Sequence, residues 1–147
     1  MATPILDVLD YLPTLQEQVS GVRHAYDARS IPLSIERWPS FMSIFGGDVP
    51  VEVRGSQGRY ELRYNVDMYL MIARGGDVRA GYSALIEYIW PVLQLFAVNG
   101  RLGGRCQMAR ITRIERGEYA VAGIEFVGVR FVLTVDEHVI QSFSGGA

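Results

Sequence analysis

From Arg59 to Ile72 apolar and polar residues take turns: Tyr60, Leu62, Tyr64, Val66, Met68, Leu70 and Ile72 occupy one set of positions, and Arg59, Glu61, Arg63, Asn65 and Asp67 lie between them. Successive side chains of a strand point to opposite faces, so this run predicts a long strand with one buried face and one face that is solvated or meets a partner. Gly55-Ser56-Gln57-Gly58 supplies a turn before it, and Val51 to Arg54 supplies a short strand before the turn; a hairpin is the expected pairing. The outer face of that hairpin carries Glu52, Arg54, Arg59, Glu61 and Arg63. Mixed charges at alternating positions mark a solvated face whose cross-strand pairs are each worth under ~1 kcal/mol, unless a neighbouring subunit desolvates them.

The rest of the chain must cover the apolar side. Thr3-Pro4 reads as a helix cap and first turn, and Ile5, Val8, Leu9, Leu12, Leu15, Val19 and Val22 follow at three- and four-residue spacing, with Pro13 expected to kink or restart the helix and Gly21 to end it. Residues 31–50, punctuated by Pro32, Pro39, Gly46, Gly47 and Pro50, predict a long connection with one or two short strands. Its aromatics, Trp38 and Phe41 among them, form either an interface or a cover for the sheet edge. Asp77 is placed to cap a second helix with a broad apolar stripe, Tyr82, Leu85, Ile86, Ile89, Leu93, Phe96 and Ala97, interrupted at Pro91 and stopped by Asn99-Gly100. A second hairpin follows, from Arg105 to Glu115 and from Tyr119 to Val135, turning at Arg116-Gly117-Glu118. In its second arm the apolar phase switches near Gly128, which predicts a β-bulge. The expected fold is α+β: two helices on one face of a mainly antiparallel sheet built from two hairpins, in a single domain over residues 1–135, with a flexible tail over 136–147.

Composition narrows the chemistry. The 147 residues carry a formal charge of -2, and all 14 basic residues are arginine. Codon usage in a GC-rich genome accounts for the missing lysines, and so does retention of arginine for bidentate interface pairs. Balanced charge without a basic run argues against tight duplex binding. The one cysteine, Cys106, rules out an internal disulfide and a cysteine-based zinc cluster; alternating with Met108, it reads as a small core residue. The histidines are His24, at the expected end of the first helix, and His138, in the expected tail, and neither stands in a nucleophile–base pattern. Asp136-Glu137-His138 reads as a solvated terminus, not a metal site. Gly100-Arg101-Leu102-Gly103-Gly104 follows a helix and precedes a strand, the reverse of a phosphate cradle. No catalytic, cofactor or metal site is expected. The stretch Ala84 to Val98 is too short and too interrupted to span a bilayer, and Asp7 and Asp10 stand where an export signal would be basic and apolar, so synthesis in the cytoplasm is expected, with no membrane partner.

Three stretches carry a family likeness: Gly21 to Pro32 with Pro39-Ser40-Phe41 and Phe45-Gly46-Gly47 after it; the long strand rich in arginine and tyrosine; and Asn99 to Val135, with Leu102-Gly103-Gly104 after the second helix and the closing strand from Gly123 to Phe131. In these the sequence resembles the tail-terminator and tail-completion proteins of long-tailed bacteriophages. The resemblance implies a structural, non-enzymatic virion protein that forms a ring, a hexamer matching the tail tube. The ring caps the head-proximal end of the tail, ends tube polymerisation and offers a docking surface to the head. Its implied partners are further copies of itself, the tail tube protein and a head-closure or connector protein, with DNA passing through the lumen without sequence-specific binding. A head-closure or other head–tail joining protein is the near alternative; a small-ligand binding domain is the alternative from another class. The contacts expected on this reading are Trp38 and Phe41, the hairpin face Glu52, Arg54, Arg59, Glu61 and Arg63, and the second turn with Arg113, Glu115, Arg116 and Glu118.

Overall fold

In the computed structural model of the chain, residues 4–54, 58–76, 83 and 85–140 are described. They form helix α1 (Leu6–Gln16), strands β1 (His24–Ala25), β2 (Ser40–Phe45), β3 (Val51–Arg54) and β4 (Arg59–Arg74), helix α2 (Ile89–Val98), and strands β5 (Met108–Val121) and β6 (Ile124–Ile140). Among the described residues the fold is mostly sheet, with these two helices. Strand order is β1-β2-β4-β6-β5, and β3 pairs with the stretch of β4 that β2 leaves open. The sheet is mixed, because β1 runs parallel to β2 while the other pairs are antiparallel. Its centre is the β4–β6 pairing, which runs from Arg59 opposite Ile140 to Arg74 opposite Phe126.

The alternation of β4 comes out as expected. Tyr64, Val66, Met68 and Leu70 are fully buried in the main core with Val129, Phe131, Leu133 and Val135 of β6, under Val8, Leu12 and Leu15 of α1 and Val92 and Phe96 of α2. Each such side chain contributes about 1.5–3 kcal/mol by leaving water. A smaller cluster sits on the opposite, open face, where Met42, Met71, Ile124 and Phe126 are buried beside Trp38, Tyr69 and Tyr119.

This second cluster corrects the expected change of phase in the last strand. β6 keeps its alternation through Gly128; Ile124 and Phe126 serve the open-face cluster, and Val127 onward serves the main core. The irregularities lie in its partners, between Met71 and Ala73 of β4 and between Ile111 and Arg113 of β5. The expected turn at Arg116-Gly117-Glu118 is also corrected: β5 runs straight through it, Gly117 faces Gly128 across the pair, and the chain turns at Ala122-Gly123. Both of those residues have positive φ, 52° and 82°, as a two-residue hairpin turn of matching twist requires.

The tail expected from residue 136 is corrected in its first part, and residues 141–147 lie outside the described residues. Residues Asp136 to Ile140 belong to β6 and pair with Arg59 to Arg63, so Asp136, Glu137 and His138 are strand residues pointing to alternate faces. α1 ends at Gln16, short of Gly21, yet Val19 stays buried because turns closed by Gln18 N–H to Leu15 and Val19 N–H to Gln16 carry it into the core. The helix passes through Pro13 without restarting. His24 lies in β1, its ring edge-on to Tyr26, instead of at a helix end. Pro91 occupies the first turn of α2, where its missing N–H costs nothing. The expected caps Thr3 and Asp77 lie outside the described residues.

At Gly128 β6 presses closely on β4: a Cβ there would run into the backbone carbonyl of Leu70, and the Phe126 ring would stand 3.2 Å from it. A methyl has no flexible neighbour to displace. Gly128→Ala should lower unfolding free energy by about 2–3 kcal/mol, measured by urea denaturation; a stability within error of wild type would show that the two strands separate there at no cost.

Candidate functional site

The open face of the sheet carries the polar residues of β4, β6 and β5 in rows that cross the three strands. In the first row Arg63 Nε donates to Asp136 Oδ1 at 2.7 Å and Arg110 donates to Asp136 Oδ2 at 2.9 Å. The next joins Asn65, Thr134 and Thr112: Thr134 Oγ1 donates to Asn65 Oδ1, and the two threonine hydroxyls are 2.9 Å apart. A third is built on Arg130, which donates to Asp67 at 3.0 Å and to Glu115 at 3.2 Å, while Glu115 also pairs with Arg113. Tyr69, Tyr119 and Phe126 follow as a ring cluster with centroids 5.3–5.6 Å apart. At the far end His138 Nε2 lies 3.5 Å from Glu61, on the wall of a groove of about 520 Å³ that also involves Glu52, Arg63 and Asp136.

Burial alone would raise the Asp136 carboxyl, yet the hydrogen bonds from Arg63 and Arg110, with their charges, hold it below the ordinary carboxylate range. These rows tie the three longest strands together. The arrangement is a set of cross-strand pairs, within which the buried Arg130 Nε has no hydrogen-bond partner among the described residues.

The expected contact residues separate on this frame. Glu52, Arg59, Glu61 and Arg63 share the open face at the β3–β4 end, as their register requires, and Arg54 stands opposite Arg59. Arg113 and Glu115 belong to the Arg130 row. Arg116 and Glu118 fall on the other face, opposite Val129 and Val127, and Glu118 accepts the Gly76 N–H at 3.0 Å. Trp38 is half-buried against the open-face cluster. Phe41 is corrected: it is fully buried in the main core, 6.5 Å from the Phe131 ring, and belongs to no surface. Met108 is exposed, so it does not share a core position with the half-buried Cys106.

Sequence reading passed over Arg130, Thr112 and Thr134, the centres of two rows. Their signal was present as polar residues at every second position of otherwise apolar strands, but single polar residues among valines do not announce which partners they meet.

On the helix side, Glu137 is a buried carboxylate that closes the start of α1. Its Oε2 accepts the Ile5 N–H at 3.0 Å, and Ile5 holds a φ of 71°, a left-handed conformation that a β-branched residue rarely adopts. Burial raises the Glu137 carboxyl above its ordinary value against the lowering effect of that N–H. Burial also raises the neighbouring Tyr64 hydroxyl, helped by the charge of Glu137. Burial likewise pushes the Cys106 thiol up to about 11, which leaves it a protonated, weakly nucleophilic group at neutral pH. Among the described residues no group of three His, Cys, Asp or Glu side chains is placed to hold a metal ion, and no helix is long and apolar enough to cross a membrane.

A carboxyl whose pKa is raised on folding contributes its full stability below the unfolded value, and that contribution is lost as pH rises through the folded value. Glu137→Gln keeps an acceptor for Ile5 and removes the titration. The variant should flatten the fall in stability on going from pH 4.5 to 7.5, measured by denaturant unfolding at several pH values; an unchanged slope would place the titrating group elsewhere.

No protein-family model matches the chain, and no curated protein matches it in sequence.

Proposed function

We propose that this chain is a structural subunit of a long-tailed bacteriophage, a tail-terminator or tail-completion protein that assembles into a ring at the head-proximal end of the tail tube. The observation that carries the reading is the unlikeness of the two sides of the sheet. One side ends in the 14-residue edge strand β5 with α2 packed against it; the other ends in the short strands β1 and β3. A subunit with two different flanks associates head to tail, and such contacts close into a ring when the rotation per copy allows it. The pairs β3–β4 and β5–β6 act in this reading as two hairpins whose long arms form a stiff plate beneath two helices.

Function is then geometric. Six copies match the six-fold tube; one ring face binds the last ring of tube protein and stops its polymerisation, and the other receives the closure protein of the filled head. DNA passes through the hole. The acidic balance of the chain suits a lumen that lets phosphate slide past, because a basic lumen would hold it. The open-face rows serve as a brace: their carboxylates and guanidiniums are largely spent on one another, so Arg63 is bound to Asp136 before any neighbour arrives. A head-closure or other head–tail joining protein would use the same ring and differ only in its partner.

Purified protein incubated with polymerised tubes of the cognate tail tube protein should appear in negative-stain electron micrographs as a cap at one end, with further elongation stopped. Bare tubes that keep growing, together with binding to the head connector, would assign the chain to head closure instead.

A further inference from the structure

An uncovered apolar surface lies on the outer side of α2. This helix, Ile89–Val98, has one polar residue, Gln94. Its inner side is buried through Val92 and Phe96 and packs over β5. A surface helix ordinarily turns polar on the side away from the core, but here Trp90 is 67% and Val98 76% exposed, and Leu93 and Ala97 extend the Trp90 stripe at three- and four-residue spacing. Ile86, just before the helix and 51% exposed, extends the patch, and a contiguous apolar patch of this kind marks an interaction surface.

A second uncovered apolar surface lies across the sheet. Val51 and Val53 of β3 are 52% and 65% exposed. By register they share the helix-side face with Leu62 and Tyr60 of β4, both half-buried. β3 stands on the side of β4 away from β6 and β5, so the two patches lie on the same face of the sheet at its opposite edges.

We infer that the outer stripe of α2 in one copy, centred on Trp90, packs against the uncovered end of β3 and β4 in the next, on Val51, Val53 and Leu62, forming the repeated contact between identical subunits. The inference rests on the ring reading above and names its interface. Three observations select a second copy as the occupant. The patches are unlike and sit at opposite edges, which is what a head-to-tail contact needs. A pairing of α2 with α2 would leave Val51 and Val53 in water, whereas a head-to-tail contact that closes covers both patches in every copy. The central charges of the open face, Arg63 and Arg110 on Asp136 and Arg130 on Asp67 and Glu115, are already paired within the chain, so desolvation of the apolar edges offers the larger gain. Trp90 has the size and position of a central anchor.

The test uses full-length chains carrying Trp90→Glu or Val53→Glu, both at exposed positions, with circular dichroism and melting temperature confirming an unchanged fold. Sedimentation equilibrium should show wild type as a closed oligomer and each variant weakened about 30-fold or more in association. An equimolar mixture should form a dimer and nothing larger, because one variant keeps an intact α2 and the other an intact β3 end. A wild-type oligomer that neither substitution disturbs overturns this contact and leaves the ring reading standing. If Trp90→Glu alone disrupts it and mixing restores nothing, α2 pairs with α2. If the Trp90→Glu ring forms but no longer caps tubes, the stripe belongs to the tube protein. Wild type that remains monomeric, alone and on tubes, overturns the contact and the ring together.

Discussion

The register between β4 and β6 determines where everything else in this protein lies. The two strands stay paired from Arg59 opposite Ile140 to Arg74 opposite Phe126, with one irregularity after Met71. Side chains alternate between faces, so a slip of one residue would carry Tyr64, Val66, Met68 and Leu70 out of the core and draw Arg63, Asn65 and Asp67 into it. The polar rows reinforce the same register. Asp136 meets Arg63 and Arg110 only when β4, β6 and β5 are aligned as they are, and Arg130 bridges Asp67 and Glu115 under the same condition. Individually these pairs are weak because solvent screens them. Together they penalise every misaligned alternative, which is how a partly exposed network specifies a structure without stabilising it greatly.

The consequence for function is a division between the two faces. The open face pairs Arg63 and Arg110 with Asp136 and Arg130 with Asp67 and Glu115, and closes a small aromatic cluster of Tyr69, Tyr119 and Phe126 at one end. The helix side leaves apolar surface uncovered at both edges, at Trp90 and at Val53. A plate stiffened on one face and adhesive at two unlike edges of the other is suited to joining identical copies. The chemistry near Glu137 fits the same division: the carboxylate is spent on the Ile5 N–H, and the adjacent thiol and phenol are held protonated by burial.

Much of the architecture was legible because it rests on periodicity. The alternation from Tyr60 to Ile72 revealed β4, and three- and four-residue spacing revealed both helices. What escaped was anything that needed a partner to interpret. Gly117 looked like a turn because glycine between arginine and glutamate usually is one; only its pairing with Gly128 shows that β5 continues through it. Ile124 and Phe126 looked out of phase because a second cluster on the open face could not be foreseen. Asp136 to His138 looked like a polar end, since the arginines that pair with Asp136 come from Arg63 and Arg110, far away in the chain. The charged hairpin face was visible as a surface, but not that Arg63 was already bound to Asp136. The apolar stripe of α2 was visible as a stripe, but its division into a buried side and an exposed side was not.

The central claim is that identical copies meet through unlike edges and close on themselves. Native mass spectrometry of the purified chain across a hundredfold range of concentration addresses it directly. A closing head-to-tail contact predicts a single dominant assembly of six copies whose size does not grow with concentration, with few intermediates between it and the monomer. A distribution that lengthens steadily with concentration would mean that the contact does not close, and a dimer as the end point would mean that it joins like surfaces.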